Sequence, residues 1–524
     1  MSDSLRRIDQ PELVFGLAGP IGVDLSSVEA DLRRELSGVD YETRVIKITD
    51  EMKSLLRDAH TSGSDYLSNT RAKIADAGKL CEEFKDNSTM ARVAMRAIAS
   101  YRTQKGHKSL DGTAFIIHQL KRPEEVELLR RVYGRLFFLV SVYGSREDRL
   151  ENLVRNIQRD HSGSKTDDDI SQEAKALRDD DEKEDANPFG QNLGETFHLG
   201  DVFVDGINKE AMHEQVHRFI FALFGRNDIS PSRDEYGMYA ARSASLKSLD
   251  LSRQIGAAIF GNDGELITTG CNDAPKAFGG MYWDGEKPDY RDIRLGEDPN
   301  ERSRIRLLRD LFRRLKDLGF LSDKATSIGD ATQIVAHLTE KATGRPNVPS
   351  QGGLIGCEIL DVTEYGRIVH AEMCALCDAA RFGKSVKGAT LFCSTFPCHN
   401  CAKHILAAGI RRVVYIEPYP KSRVSDLYRH EIEIEGRSCE KVSFVPFIGI
   451  SPTRYRDLFA KQKRKDGGQA RDWYHGKPIP MVSIIAPFYL ETEQLAIVEL
   501  VTADLPLLRG LPHGDTPSGT TRKG

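Results

Sequence analysis

The sequence predicts an α/β protein of two domains, an N-terminal parallel sheet followed by a three-layer α/β/α arrangement. Three observations carry this. Near-continuous apolar runs at 113–117, 136–142 and 201–205 are separated by charged helical stretches, the pattern of parallel strands covered on both faces. A strand, helix, strand succession at 389–416 calls for a right-handed parallel crossover in the second half. At 524 residues the chain exceeds one ordinary domain. The expected division is 1–208 for the first domain, 209–234 for a connecting helix and linker, 235–460 for the second domain with an insertion at 276–366, and 461–524 for a C-terminal extension with a disordered tail.

The first element is a short apolar strand ending near Ala18, followed by a loop containing Gly19 and Gly22 and an amphipathic helix through about Leu36. Backbone N–H groups of such a loop, at a helix N-terminus, can cradle phosphate, which makes Gly19 and Gly22 candidate nucleotide-binding positions. The usual phosphate-binding chemistry is incomplete, because Val23 stands where the Walker lysine belongs and Asp24 where Ser or Thr would bind Mg²⁺. The expectation is a degenerate P-loop kinase-like domain without kinase activity, serving a regulatory or binding role. Arg146 and Arg149 open a charged helix of the kind seen beside a kinase lid; either could meet phosphate, but the expectation is a solvated face. The acidic stretch 167–185 is expected as an exposed helix or mobile lid-like insertion, and 210–224 as the connecting helix.

In the second domain, two apolar runs flank Asn262-Asp263-Gly264, a β-hairpin signal. The hairpin leads to Asn272. Helices are expected at 302–318 and 326–342 within the insertion, building a partner surface or a substrate lid.

His370-Ala371-Glu372 and Pro397-Cys398-His399-Asn400-Cys401 carry the chemistry. Strong helix formers from 371 to 382 stop at Gly383, so His370 sits at a helix start. A buried strand at 389–395 and Pro397 lead into a helix at 398–408 with both cysteines on its first turn. There the free N–H groups and the helix dipole favour thiolate. One imidazole and two thiolates leave the fourth position of Zn²⁺ open for water, as a catalytic site requires. A closed structural site would need a further ligand; Cys374, Cys393, His399 and His404 lie nearby and are expected to be non-ligands. Glu372 is expected to be the proton shuttle and not a ligand.

The H-x-E…P-C-x-x-C arrangement is the known signature of the zinc nucleobase deaminases. Together with the hairpin and the Gly-x-Asn-x-x-Pro segment at 270–275, the chain resembles the deoxycytidylate deaminase group, implying a cytidine deaminase-like fold and contact of Asn272 with the nucleotide sugar. Gly279-Gly280-Met281-Tyr282-Trp283, the long insertion, the 395–405 segment and Tyr415-Ile416-Glu417-Pro418-Tyr419-Pro420-Lys421-Ser422 together resemble the anti-phage dCTP deaminases. That resemblance implies deamination of dCTP, and of dCMP, depleting deoxycytidine nucleotides during phage replication. By resemblance and residue type, Tyr282, Trp283, Tyr419 and Lys421 join the nucleotide pocket. The alternative activity is deamination of bases in single-stranded nucleic acid or transfer RNA, which needs an electropositive groove with stacking aromatics.

Composition narrows the setting. A net charge of −4 provides no general nucleic-acid footprint. The first residues lack the apolar stretch of a signal peptide, and no run approaches the roughly 20 apolar residues of a membrane span. Nine cysteines, an odd count, fit a reducing compartment better than a disulfide framework. The expectation is a cytoplasmic homo-oligomer with zinc as cofactor and a free deoxycytidine nucleotide as substrate. A regulatory nucleotide or RNA is an open alternative as partner.

Overall fold

The computed structural model describes residues 7–56, 65–160, 165–182, 189–339, 353–354, 357–362, 364–419, 421–436, 440–461, 463–470 and 478–502. The chain divides into two compact units, Met1–Tyr236 with Phe447–Gly524, and Gly237–Pro446. The chain therefore returns to its first unit after completing the second.

The first unit is built on strands β1 (Leu13–Ala18), β2 (Glu42–Lys47), β3 (Thr113–Leu120), β4 (Phe137–Tyr143) and β5 (Val202–Asp205), parallel in the order β2-β3-β1-β4-β5. Central β1 is buried along its whole length, as an apolar run between two neighbours must be. Edge strand β2 mostly alternates exposed and half-buried positions. Gly449–Ile450 adds a short antiparallel edge to β5.

Two expectations need correction here. The helix Lys209–Leu223 is a core helix and not a linker: it buries Met212, Val216, Phe219 and Ile220, with Phe219 edge-on to Phe15 and Phe138 at 6.3 and 5.9 Å between ring centroids. Residues 447–460, expected in the second domain, belong to the first unit, as does the extension from 461. The helix Tyr489–Thr502 is held there by a buried ion network, in which Arg102 Nη1 donates to Glu493 Oε1 at 2.6 Å and Arg102 Nε to Glu12 Oε1 at 2.9 Å. The tail from 503, expected to be disordered, lies outside the described residues.

The acidic stretch forms the helix Asp167–Glu182, whose Ile170, Ala174 and Leu177 pack on Leu153 and Ile157 of the helix Arg146–Asp160. Arg149 of that second helix is buried and not on a solvated face. Its backbone abuts Gly22, where an added Cβ would stand 2.6 Å from the Arg149 carbonyl oxygen; Gly22 also has φ +95°. Only glycine satisfies both conditions.

The second unit carries β6 (Gly256–Phe260), β7 (Leu266–Cys271), β8 (Thr390–Thr395), β9 (Arg412–Glu417), β10 (Ile432–Ile434) and β11 (Val442–Pro446), ordered β7-β6-β8-β9-β11-β10. The expected hairpin forms β6 and β7, and β6 is antiparallel to β8. From β8 to β10 the sheet is parallel. The helix Ala371–Arg381 lies so close to β7 that a Cβ on Gly270 would meet the Ala371 carbonyl oxygen at 2.2 Å.

In the insertion, Asp298 caps the helix Pro299–Asp317 by accepting from Asn300 and Glu301 N–H. The second expected helix is two, Asp323–Thr326 and Ala331–Thr339, because Gly329 at φ +137° breaks the turn between them; 340–342 lie outside the described residues. Among the described residues no helix is long and apolar enough to cross a membrane.

Candidate metal centre

Two helix starts converge in the second unit. His370 is the N-cap of Ala371–Arg381, and Cys398 the N-cap of His399–Ala407, which follows β8 through Pro397. Neither helix has a side-chain cap, so the positive end of each dipole faces the cluster and favours thiolate there. His370 Nδ1 lies 3.3 Å from Cys398 Sγ and 3.4 Å from Cys401 Sγ. Tetrahedral zinc with bonds of about 2.3 Å to sulfur and about 2.0 Å to nitrogen separates such ligands by roughly 3.6 Å, so the donor set fits the ion.

Among the described residues these three are the one group of His, Cys, Asp or Glu able to hold a metal. Cys374, Cys393, His399 and His404 are not in it. Cys374 packs instead with Cys271 and Met281, and Cys393 sits in the sheet core.

Glu372, in the first turn of the helix Ala371–Arg381, is 4% exposed. Burial pushes its carboxyl pKa up, the Cys398 thiolate adds to the rise, and a hydrogen bond from Cys401 opposes it. A carboxyl whose pKa is raised in this way suits an acid–base shuttle.

Residues 231–417 match the family model for the cytidine and deoxycytidylate deaminase zinc-binding region. The deoxycytidylate deaminase of Enterobacteria phage T2 is 46% identical over 55 residues, 10% of this chain and 29% of that protein. ComE operon protein 2 of Bacillus subtilis (strain 168) is 29% identical over 137 residues, 24% of this chain and 70% of that protein. The solved dCMP deaminase of cyanophage S-TIM5, in complex with dCMP and dUMP, is 18% identical with a TM-score of 0.22, covering 42% of this chain and 99% of that one. The chain thus spans less than a third of the phage T2 relative.

Around the deaminase zinc-binding region the other expected residues fall unevenly. Tyr419 is half-buried beside Cys398, and its phenol pKa is raised by burial and then by that thiolate. Tyr282 is buried, whereas Trp283 is 60% exposed with Lys247 Nζ 3.6 Å above its ring. Lys421 Nζ is paired with Asp361 at 2.6 Å.

Asn272 is buried with its amide engaged inside the chain. Its Oδ1 accepts from Ile255 N–H at 2.7 Å, and its Nδ2 donates to Asp250 Oδ2 at 2.6 Å and the Arg253 carbonyl at 2.7 Å. The side chain thereby fixes the 250–255 segment. Gly19 and Gly22 lie in the first unit, in the loop after β1.

Sequence reasoning did not single out Arg253. Its guanidinium pairs with Glu417 and lies 5.7 Å from the Tyr419 ring centroid, while Thr395 Oγ1 donates to the other Glu417 oxygen at 3.2 Å. The partners are 164 positions apart, so no local spacing could have linked them.

The protonation of the ligands has a measurable consequence. A hydrogen bond to Cys398 pushes His370 up to about 9, while hydrogen bonds from Cys401 and His370 hold Cys398 down at about 4; the Cys401 thiol is pushed up by Cys398 and by burial. At pH 7 the metal-free cluster therefore holds imidazolium, thiolate and thiol. Zinc loading is expected to release about two protons at pH 7, and its affinity to fall as pH drops. Calorimetry in buffers of different ionisation enthalpy measures the number; zero protons released would contradict this protonation pattern.

Proposed function

We propose that this chain removes the C4 amine from the cytosine of free deoxycytidine nucleotides, dCTP and dCMP, by hydrolysis. The observation that carries the reading is a three-ligand centre, His370, Cys398 and Cys401, with the buried Glu372 carboxyl beside it. His370, Cys398 and Cys401 would hold zinc, which when bound would supply Lewis acidity and lower the pKa of a water toward neutrality. Glu372 takes a proton from the attacking water and delivers it to ring nitrogen N3. It then takes the remaining proton from the hydroxyl now on C4 and passes it to the amine, which leaves as ammonia while the C4 carbonyl forms. Oxygen replaces nitrogen at C4, and the products are the deoxyuridine nucleotide and ammonia.

The deoxycytidylate deaminases among the relatives support a nucleotide substrate over a polymer. Tyr419, beside Cys398, is the side chain best placed to line the base pocket. Asn272 clamps the 250–255 segment with both of its N–H donors, and the second lone pair of its Oδ1 is proposed to accept from the nucleotide sugar; Tyr282, Trp283 and Lys421 are proposed at the outer pocket. The resemblance to anti-phage dCTP deaminases supports depletion of the dCTP pool as the biological outcome, in the cytoplasm and in a homo-oligomer.

For the first unit, the parallel order β2-β3-β1-β4-β5 with a glycine loop between β1 and the helix Leu25–Ser37 supports a P-loop kinase-like fold. Asp24 there caps its own helix, accepting from Ser27 N–H at 2.9 Å, which suits a domain that has given up Mg²⁺-dependent phosphoryl transfer.

Incubating the zinc-loaded protein with dCTP, dCMP, CTP, cytidine and a cytosine-containing oligonucleotide, then separating products by chromatography, tests the substrate. Conversion of dCTP or dCMP is expected. Turnover of the oligonucleotide alone would replace this reading with the polynucleotide one.

A further inference from the structure

The glycine loop of the first unit already holds an anion, and that anion belongs to the chain. Asp181 is 2% exposed, yet carries a carboxylate. Its Oδ2 accepts the Ile21 N–H at 2.7 Å, and its Oδ1 accepts from Lys121 Nζ at 2.6 Å. Lys121 follows β3 directly and also donates to the Gly19 carbonyl at 3.0 Å. A loop N–H and a lysine ammonium, at the carboxyl ends of two adjacent central strands, are the donor types that phosphate receives in glycine-loop sites. Here a carboxylate receives them.

The carboxylate arrives on a helix that is docked by its apolar face. Ile170, Ala174 and Leu177 of Asp167–Glu182 pack with Leu153, Ile157 and Leu67, and Ile21 of the loop packs against the same cluster. The helix end is not arranged for its own stability. Asp179, Asp180 and Asp181 fill its last turn, which has no basic residue, and negative charge there opposes the helix dipole. The apolar face docks the helix, and the loop N–H and Lys121 compensate the charge at its last turn.

We propose that Asp181 is an internal stopper: it occupies the anion position of the glycine loop, and the loop with Lys121 takes a nucleoside polyphosphate only when this helix end lets go. The inference rests on the P-loop-like reading of the first unit. Two negative groups cannot share one N–H and one ammonium in a buried site, so binding and docking exclude each other. Because the carboxylate is tethered, its local concentration is of millimolar order, and a ligand must outcompete that. The ligand's apparent affinity falls by the fraction of molecules that are open.

Calorimetric titration of the full chain with ATP, and separately with inorganic pyrophosphate, tests this. Asp181→Asn and Asp181→Ala are expected to bind at least about tenfold more tightly than the unaltered protein, one variant keeping the side-chain shape and the other vacating it. Adding Lys121→Ala to either is expected to abolish the gain. Equal binding by unaltered protein and variants would overturn the stopper while leaving the loop an anion site. Folded variants, checked by circular dichroism, that bind neither probe would overturn the stopper and the P-loop-like reading together. Turnover of dCMP, followed on the same samples, is a separate readout, so neither failure is confused with failure of the deaminase reading.

Discussion

Replacing Glu372 with glutamine is expected to leave zinc bound and to lower kcat by about 10²–10⁴-fold, the contribution typical of a positioned acid–base group. The ligand atoms for the metal come from His370, Cys398 and Cys401, which lie together without Glu372. Glutamine keeps the shape of a side chain that is 4% exposed and so preserves packing, but it can neither accept a proton from water nor return one to the amine. Elemental analysis of the purified variant, with dCMP turnover followed by chromatography, separates the two roles. Loss of zinc with an intact fold would make Glu372 part of the metal's support, and undiminished kcat would remove it from the chemistry.

The largest effect on stability is expected at Arg102. Replacing it with methionine strands Glu12 and Glu493, whose side chains are 1% and 2% exposed, as buried carboxylates without their cation. Tyr489 Oη and the Leu110 N–H still donate to Glu12, each at 2.7 Å, and Tyr133 Oη to Glu493, but these hydrogen bonds do not replace a charge. Removing one member of such a buried network costs about 3–5 kcal/mol. Urea unfolding of the first unit should show this as an earlier transition. Adding Glu12→Gln and Glu493→Gln should recover part of the loss, because the uncompensated charge then disappears. A change within about 1 kcal/mol for Arg102→Met alone would mean the carboxylates are neutral or hydrated, contrary to the geometry.

Much of the metal centre was legible because its signals are local. Gly383 ends one helix at φ +67° and Pro397 leads into another, so the spacing of 370, 372, 398 and 401 already placed these residues at two helix starts. The hairpin at 256–271 and the parallel pair β8–β9 were equally readable, since turn residues and apolar runs act within a few positions. The helix expected at 326–342 was the exception; the chain turns at Gly329, φ +137°, before Ala331–Thr339 begins.

Local sequence specified the donor set and the order of the helix starts and strands that carry it. Tertiary structure alone decided that 209–223 is core, that 447–502 returns to the first unit, that Asn272 spends its amide on 250–255, and that Asp181 seats on Ile21. The reason is the range of the forces. Helical and strand periods, caps and turns are set by neighbours within a few residues, whereas burying a charge requires a partner that any distant segment can supply. Glu12, Arg102 and Glu493 meet across most of the chain, and no local pattern among them announces it.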